Sequence, residues 1–271
     1  MQNLPDLVKA IVLGLVQALT EFLPVSSSGH LVIAKSVLKF GEMGITFEIC
    51  THLATTLAVI VYLRKRIAAM LLGLAGWLRP TGGVASESDR NQARLVGLVV
   101  VGSLPAAVLG FALNDFFEGL FSNPGAVGAM LVVTGLFLLA TGRRARENKP
   151  LGVSRALAVG LAQAAAIIPG LSRSGLTVGA GLAAGVPKRE AFEFSLLLSI
   201  PAVLGATLFK ILDGGMGGAP SEIVASAVTA LVAGYIAIAV LFRVVIANRL
   251  HTFAYYLIPL GLLVSLLARL A

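Results

Sequence analysis

Residues 14–29 read GLVQALTEFLPVSSSG, and residues 160–175 read GLAQAAAIIPGLSRSG. Shifted by 146 residues, the two stretches lie over one another without a gap. Gly14, Leu15, Gln17, Ala18, Ser26, Ser28 and Gly29 meet Gly160, Leu161, Gln163, Ala164, Ser172, Ser174 and Gly175. Downstream, Phe47-Glu48 echoes Phe192-Glu193 with the offset changed by one. Each stretch belongs to an apolar run, 7–39 or 152–186, that breaks at a Pro followed by a Ser/Gly cluster and then resumes. Each half is only about ten to seventeen residues long, too short to cross a hydrocarbon core of about 30 Å. A polar, Gly-rich break at membrane depth is tolerated only where protein lines it. The two runs therefore read as re-entrant helix hairpins related by an internal repeat.

The rest of the chain agrees with a membrane setting. Of its 271 residues, 57% are hydrophobic and 13% charged, with a mean hydropathy of +0.93. Soluble domains carry about 25% charged residues. Six stretches have the length and apolarity of spanning helices: about 46–63, 95–113, 125–142, 191–212, 223–245 and 252–268. The segment 66–78 either extends the first of these or lies at the surface. Three crossings separate the hairpins, and three is odd, so the second repeat is inverted. Repeat one covers about 1–145 and repeat two about 146–271 of a single membrane domain. Inverted repeats with broken helices place their site near the midplane, between the repeats. The expected fold is all-α: a polytopic membrane protein with six spanning helices and two re-entrant hairpins in inverted-topology repeats.

Charge sets the orientation. The segments 64–94, 143–155, 188–189 and 243–249 hold fifteen of the 21 lysines and arginines. The opposite loops 114–122 and 213–222 contain Asp115, Glu118, Asp213 and Glu222 and no basic residue. The positive-inside rule makes the first side cytoplasmic. Both termini then face outward, and the hairpins enter from opposite sides. The net charge of +8 is explained by these loops rather than by nucleic acid, and no nucleic-acid partner is expected. The one cysteine, Cys50, allows neither an internal disulfide nor a Cys metal cluster. The N-terminal MQNLPDLVKA has no basic region followed by a cleavage site and reads as mature sequence.

The polar residues inside the breaks carry the chemistry. Glu21 stands in an apolar stretch four residues after Gln17, on the same helix face. A carboxylate at that depth points to function: metal ligand, proton acceptor or partner of Arg173. Ser26, Ser27, Ser28, Gly29 and His30 offer hydroxyls, helix-start N–H groups for an anion, and an imidazole. Arg173, the only basic residue between Arg155 and Lys188, lies within Ser172-Arg173-Ser174-Gly175, with Thr177 one turn on. Its planar fork suits a phosphate or the Glu21 carboxylate. Glu48 and Glu193 read as interfacial, His52 as a helix-packing residue and His251 as part of a basic loop. No Walker A loop or zinc motif is present.

Two motifs resemble the BacA/UppP family of undecaprenyl-diphosphate phosphatases, linked to bacitracin resistance. One runs from Gln17-Ala18-Leu19-Thr20-Glu21 through Pro24-Val25-Ser26-Ser27-Ser28-Gly29-His30. The other is Pro169-Gly170-Leu171-Ser172-Arg173-Ser174-Gly175-Leu176-Thr177. The resemblance covers nearly the whole chain. It implies hydrolysis of undecaprenyl diphosphate to the monophosphate carrier of peptidoglycan synthesis, in the bacterial inner membrane, with a site open to the periplasmic face. It also implies a divalent cation, Mg²⁺ or Ca²⁺, at Gln17 and Glu21. Position 17 is Gln where many members have Glu, so it ligates only through a neutral oxygen. On this resemblance Glu21, Ser27, His30 and Arg173 are catalytic, with Ser27, His30 or a water as nucleophile. Ser26, Ser28, Gly29, Ser172, Ser174 and Thr177 bind the phosphates. Oligomeric state stays open, a homodimer included. The alternative function is a polyprenyl-phosphate flippase using the same anion site.

Overall fold

A computed structural model describes residues 5–31, 45–78, 86–113, 120, 123–141, 149–213 and 220–270. Among these the chain is helical throughout, with no strand. The helices are α1 (Asp6–Phe22), α2 (Ile45–Tyr62), α3 (Arg64–Leu78), α4 (Glu87–Ala112) and α5 (Pro124–Thr141). There follow α6 (Val153–Ala165), α7 (Arg173–Ala183), α8 (Lys188–Asp213), α9 (Pro220–Ile246) and α10 (Ala254–Leu270), the last preceded by a 3₁₀ turn at Leu250–Phe253.

Local chemistry sets the ends that matter. Pro24 forces Leu23 out of the helical region, to ψ 144°, and α1 stops there. Ser86 and Asp89 form a reciprocal capping box, which starts α4 eight residues before its apolar stretch. Ser172 caps α7 by accepting from the Gly175 N–H at 3.2 Å.

Five helical stretches are long and apolar enough to cross a membrane: Glu87–Ala112, Pro124–Thr141, Lys188–Leu208, Pro220–Ile246 and Leu250–Leu270. The first stretch expected to span, 46–63, forms a shorter apolar helix, Thr46–Tyr62. The segment 66–78 belongs to a separate helix, α3, packed on the start of α4 with Gly73 and Gly76 against Gln92 and Asp89. Large apolar side chains stand exposed on the outer faces, among them Phe111, Val108, Leu262 and Leu266. Soluble proteins do not present so much contiguous apolar surface; lipid covers it here.

Both broken segments are helix–turn–helix. In the first, α1 ends at Phe22 and helix resumes at residues 27–31; the remainder of that run, 32–39, lies outside the described residues. In the second, α6 and α7 flank the turn 166–172. The first half-helix of each segment packs on a long helix of the other half: α1 on α9, and α6 on α4. Gly14 and Gly160, paired by the 146-residue shift, sit at these two crossings. A Cβ on Gly14 would come 2.6 Å from the Ser226 carbonyl oxygen, and one on Gly160 would overlap the Gly102 carbonyl. Close backbone approach through small residues is how helices associate where lipid removes the hydrophobic drive. α5 and α10 pack in the same way, with Gly128 against Gly261 and Ser265. Phe192, Phe194, Leu198, Ile238, Leu241 and Leu257 of the second half share one buried core with Phe22, Leu131 and Leu138 of the first.

Candidate active site

The two turns touch. Gly175 sits close enough to Pro24 that a Cβ would lie 3.1 Å from the proline ring, and Ser174 Oγ donates to the Leu23 carbonyl at 3.2 Å. The last turn of α1 and the first of α7 are thus held together, and their charged residues pair. Arg173 Nη2 donates to Glu21 Oε1. The carboxylate is 7% exposed and the guanidinium 21%.

Glu21 is engaged on both oxygens. Oε2 accepts from Ser27 Oγ at 2.7 Å and from Gln17 Nε2 at 3.2 Å. A carboxylate only accepts, so the Gln17 amide must turn its nitrogen this way. The second N–H of that nitrogen faces His52 Nδ1 at 3.1 Å. Gln17 Oε1 is then buried with no hydrogen-bond partner among the described residues.

The first turn is strained where it carries these groups. Ser26 has φ +70°, a left-handed conformation that costs a non-glycine residue about 1–3 kcal/mol and collects at functional sites. Helix restarts at Ser27, and the Ser26 carbonyl accepts from the His30 N–H at 3.4 Å and from His30 Nδ1 at 2.9 Å. His30 Nε2 faces Tyr256 Oη of α10 at 2.7 Å, with the two rings stacked. Ser26 and Ser28 pair through their hydroxyls at 3.2 Å. Gly29 lies against Val127 and Leu131.

The second turn is braced from outside. Gly170 has φ +93° and presses on the Val127 carbonyl, so no side chain fits there. Thr134 Oγ1 donates to the Gly170 carbonyl and accepts from the Ser172 N–H. Ser172 Oγ meets Ser174 Oγ at 3.3 Å. Thr177 Oγ1 donates to the Arg173 carbonyl at 2.7 Å and meets Ser195 Oγ at 2.6 Å.

The structure therefore brings together Gln17, Glu21, Ser27 and Arg173, with Ser174 as the stitch between turns. Ser172 and Thr177 are buried at 1% and 0% exposure and hold the α7 start. His30 makes no described contact with Glu21; it stands one turn beyond Ser27, on the same face. Four participants were not legible as such: His52, Thr134, Ser195 and Tyr256. His52 read as packing, and its contact with Gln17 needs the crossing of α1 and α2. Thr134 and Ser195 are polar residues within apolar stretches, a signal that was present. Tyr256 had none, because aromatics at span ends are ordinary interfacial anchors.

Two features bear on a cation. Arg173 is matched by Glu21, so an arriving diphosphate meets little net positive charge. Among the described residues no three His, Cys, Asp or Glu side chains cluster for a metal. Mg²⁺ seldom needs such a cage: one or two protein oxygens plus substrate phosphates and water suffice. Gln17 Oε1 is unpartnered among the described residues, but its amide presents nitrogen to Glu21, so one ion held by both residues requires that amide to turn.

Known proteins place the chain. Its residues 10–263 match the family described as bacitracin resistance protein BacA. It is 42% identical to an undecaprenyl-diphosphatase of Desulfosudis oleivorans, over 94% of this chain and 96% of that protein. It is 40% identical to the undecaprenyl-diphosphatase of Rhodopirellula baltica, over 97% and 98%. It is 39% identical to that of Rubrobacter xylanophilus, over 97% and 98%.

Proposed function

The chain belongs to the bacitracin-resistance BacA family, and on that premise we propose that it is an undecaprenyl-diphosphatase, with Glu21, Ser27 and Arg173 at its centre. It is a multi-pass membrane enzyme that releases phosphate from undecaprenyl diphosphate and returns the monophosphate lipid carrier to peptidoglycan synthesis. The observation that carries the site is the hydrogen bond from Ser27 Oγ to Glu21 Oε2 at 2.7 Å, a nucleophile already on its base.

Ser27 Oγ passes its proton to Glu21 Oε2 and attacks the terminal phosphorus. The bond from that phosphorus to the bridging oxygen breaks, and undecaprenyl phosphate leaves with the electron pair. Water then attacks the seryl phosphate, giving a proton to His30, while Ser27 Oγ departs and recovers its proton from Glu21. Arg173 has five N–H donors; Nη2 gives one to Glu21 and Nη1 one to the Ser199 carbonyl at 3.5 Å, which leaves others for the terminal phosphate. Positioning and charge neutralisation dominate such transfers. Ser26, Ser28 and Gly29 shape the headgroup turn, and Ser172, Ser174 and Thr177 hold Arg173 and its helix start in place. With its amide turned, Gln17 Oε1 would join Glu21 in holding Mg²⁺ or Ca²⁺, which when bound would offset phosphate charge and polarise a phosphoryl oxygen.

The wider arrangement follows the same reading: six spans, two re-entrant hairpins and inverted repeats over 1–145 and 146–271. The exchanged packing of α1 on α9 and α6 on α4 supports the repeat, as do the matched crossings at Gly14 and Gly160. The basic segments set the orientation in the bacterial inner membrane, the headgroup site opening to the periplasm. The chain works alone or as a homodimer. The flippase alternative finds no support among the relatives. Detergent-purified protein assayed for phosphate release from undecaprenyl diphosphate tests the proposal. Release is expected; none from folded protein, with Mg²⁺, Ca²⁺ or chelator, would return the site to an anion-lipid transporter.

A further inference from the structure

We infer that Tyr256 is a positioning residue for His30, holding its ring plane and the place of its unprotonated Nε2; this rests on the proposed role of His30. The Ser26 carbonyl can only accept, so His30 Nδ1, 2.9 Å from it, carries the proton. A neutral imidazole then has its lone pair on Nε2. That nitrogen faces Tyr256 Oη at 2.7 Å, so the phenol donates to it. Ring stacking at 5.7 Å between centroids holds the imidazole plane as well.

The two contacts come from opposite ends of the chain. Ser26 belongs to the strained turn of the first half; Tyr256 opens α10, which is packed on α5. α5 also supplies Val127 and Leu131 against Gly29, so the same pair of helices walls the His30 turn. The Ser26 carbonyl accepts from both the His30 N–H at 3.4 Å and Nδ1–H at 2.9 Å, and the phenol then holds the place of Nε2. Nε2 is the nitrogen on the open side: Tyr256 is half exposed, whereas Ser26 is buried. An arriving water exchanges with the phenol as donor to Nε2 without turning the ring. The phenol is therefore a placeholder that keeps the base aimed while the site is empty.

Tyr256→Phe keeps the ring and removes the donor. With purified full-length protein in detergent, kcat for phosphate release is expected to fall about tenfold, the rate equivalent of one lost hydrogen bond, with KM and melting midpoint unchanged. On a His30→Ala background Tyr256→Phe should cost nothing further. Nitrogen-15 NMR of histidine-labelled wild type should show His30 protonated at Nδ1 alone with Nε2 hydrogen-bonded, and the Phe variant should keep Nδ1–H while its Nε2 resonance moves as the phenol donor is lost. An unchanged kcat, an equal loss on the His30→Ala background, or an Nε2 resonance unmoved in the Phe variant would overturn the inference. Absence of phosphate release by wild type would remove the proposed function yet leave the NMR result standing on its own.

Discussion

Removing Arg173 alone should harm the fold more than removing both members of its ion pair. Glu21 is 7% exposed and relies on Arg173, Ser27 and Gln17. In Arg173→Met the carboxylate keeps two neutral donors and loses its counter-charge. Breaking a buried pair from one side costs about 3–5 kcal/mol. Arg173 is 21% exposed, so water reaches part of the site, which places the cost at the lower end, about 3 kcal/mol. In Glu21→Gln with Arg173→Met, no charge is buried, and the new amide oxygen still accepts from Ser27. Its cost should be about 1 kcal/mol, one imperfectly replaced hydrogen bond. The assay is thermal loss of folded, monodisperse protein in one detergent. The single variant should melt about 5–10 °C below wild type, and the double variant should recover at least half of that. A double variant no more stable than Arg173→Met would refute the reasoning, because the harm would then not come from an uncompensated carboxylate.

Ser27→Ala should stay folded and lose about 10²–10⁴-fold in kcat, since nucleophile and proton transfer go together; retention of a tenth of turnover would leave His30 or water as the nucleophile. Gly14→Ala and Gly160→Ala should each destabilise by about 1–3 kcal/mol through overpacking at the Ser226 and Gly102 crossings. Gly205→Ala, with nothing within 4 Å of the added carbon, should gain up to about 1 kcal/mol of helix propensity instead, and equal melting points for all three would undo the packing account. Chelator should lower phosphate release and Mg²⁺ or Ca²⁺ should restore it; release indifferent to chelator would leave Gln17 Oε1 without the proposed ligand.

Much of this was legible because membrane burial makes polar residues conspicuous. Glu21, Arg173 and the two Ser/Gly turns stood out as expensive groups in apolar runs, and the 146-residue shift tied them together before any contact was known. The pairing of Glu21 with Arg173 was one of the roles open to each. What the sequence concealed was direction. Periodicity places Gln17 and Glu21 on one face but not the amide turned by the carboxylate, nor His52 waiting across the crossing. Serines look alike in a motif; their partners separate Ser27, on Glu21, from Ser172, which caps a helix. The strain at Ser26 is equally silent, since its counterpart Ser172 has an ordinary φ of −81°. Helix ends moved for local reasons: the Ser86–Asp89 capping box lengthened α4 beyond its apolar stretch.

The central claim is that the two turns form one catalytic site. Phosphate release from undecaprenyl diphosphate by Glu21→Ala and Arg173→Ala, measured beside wild type at equal folded concentration, tests it most directly. Loss of turnover in both, each from a different half of the chain, is the predicted result. Full turnover in either folded variant would contradict it, because one half would then suffice.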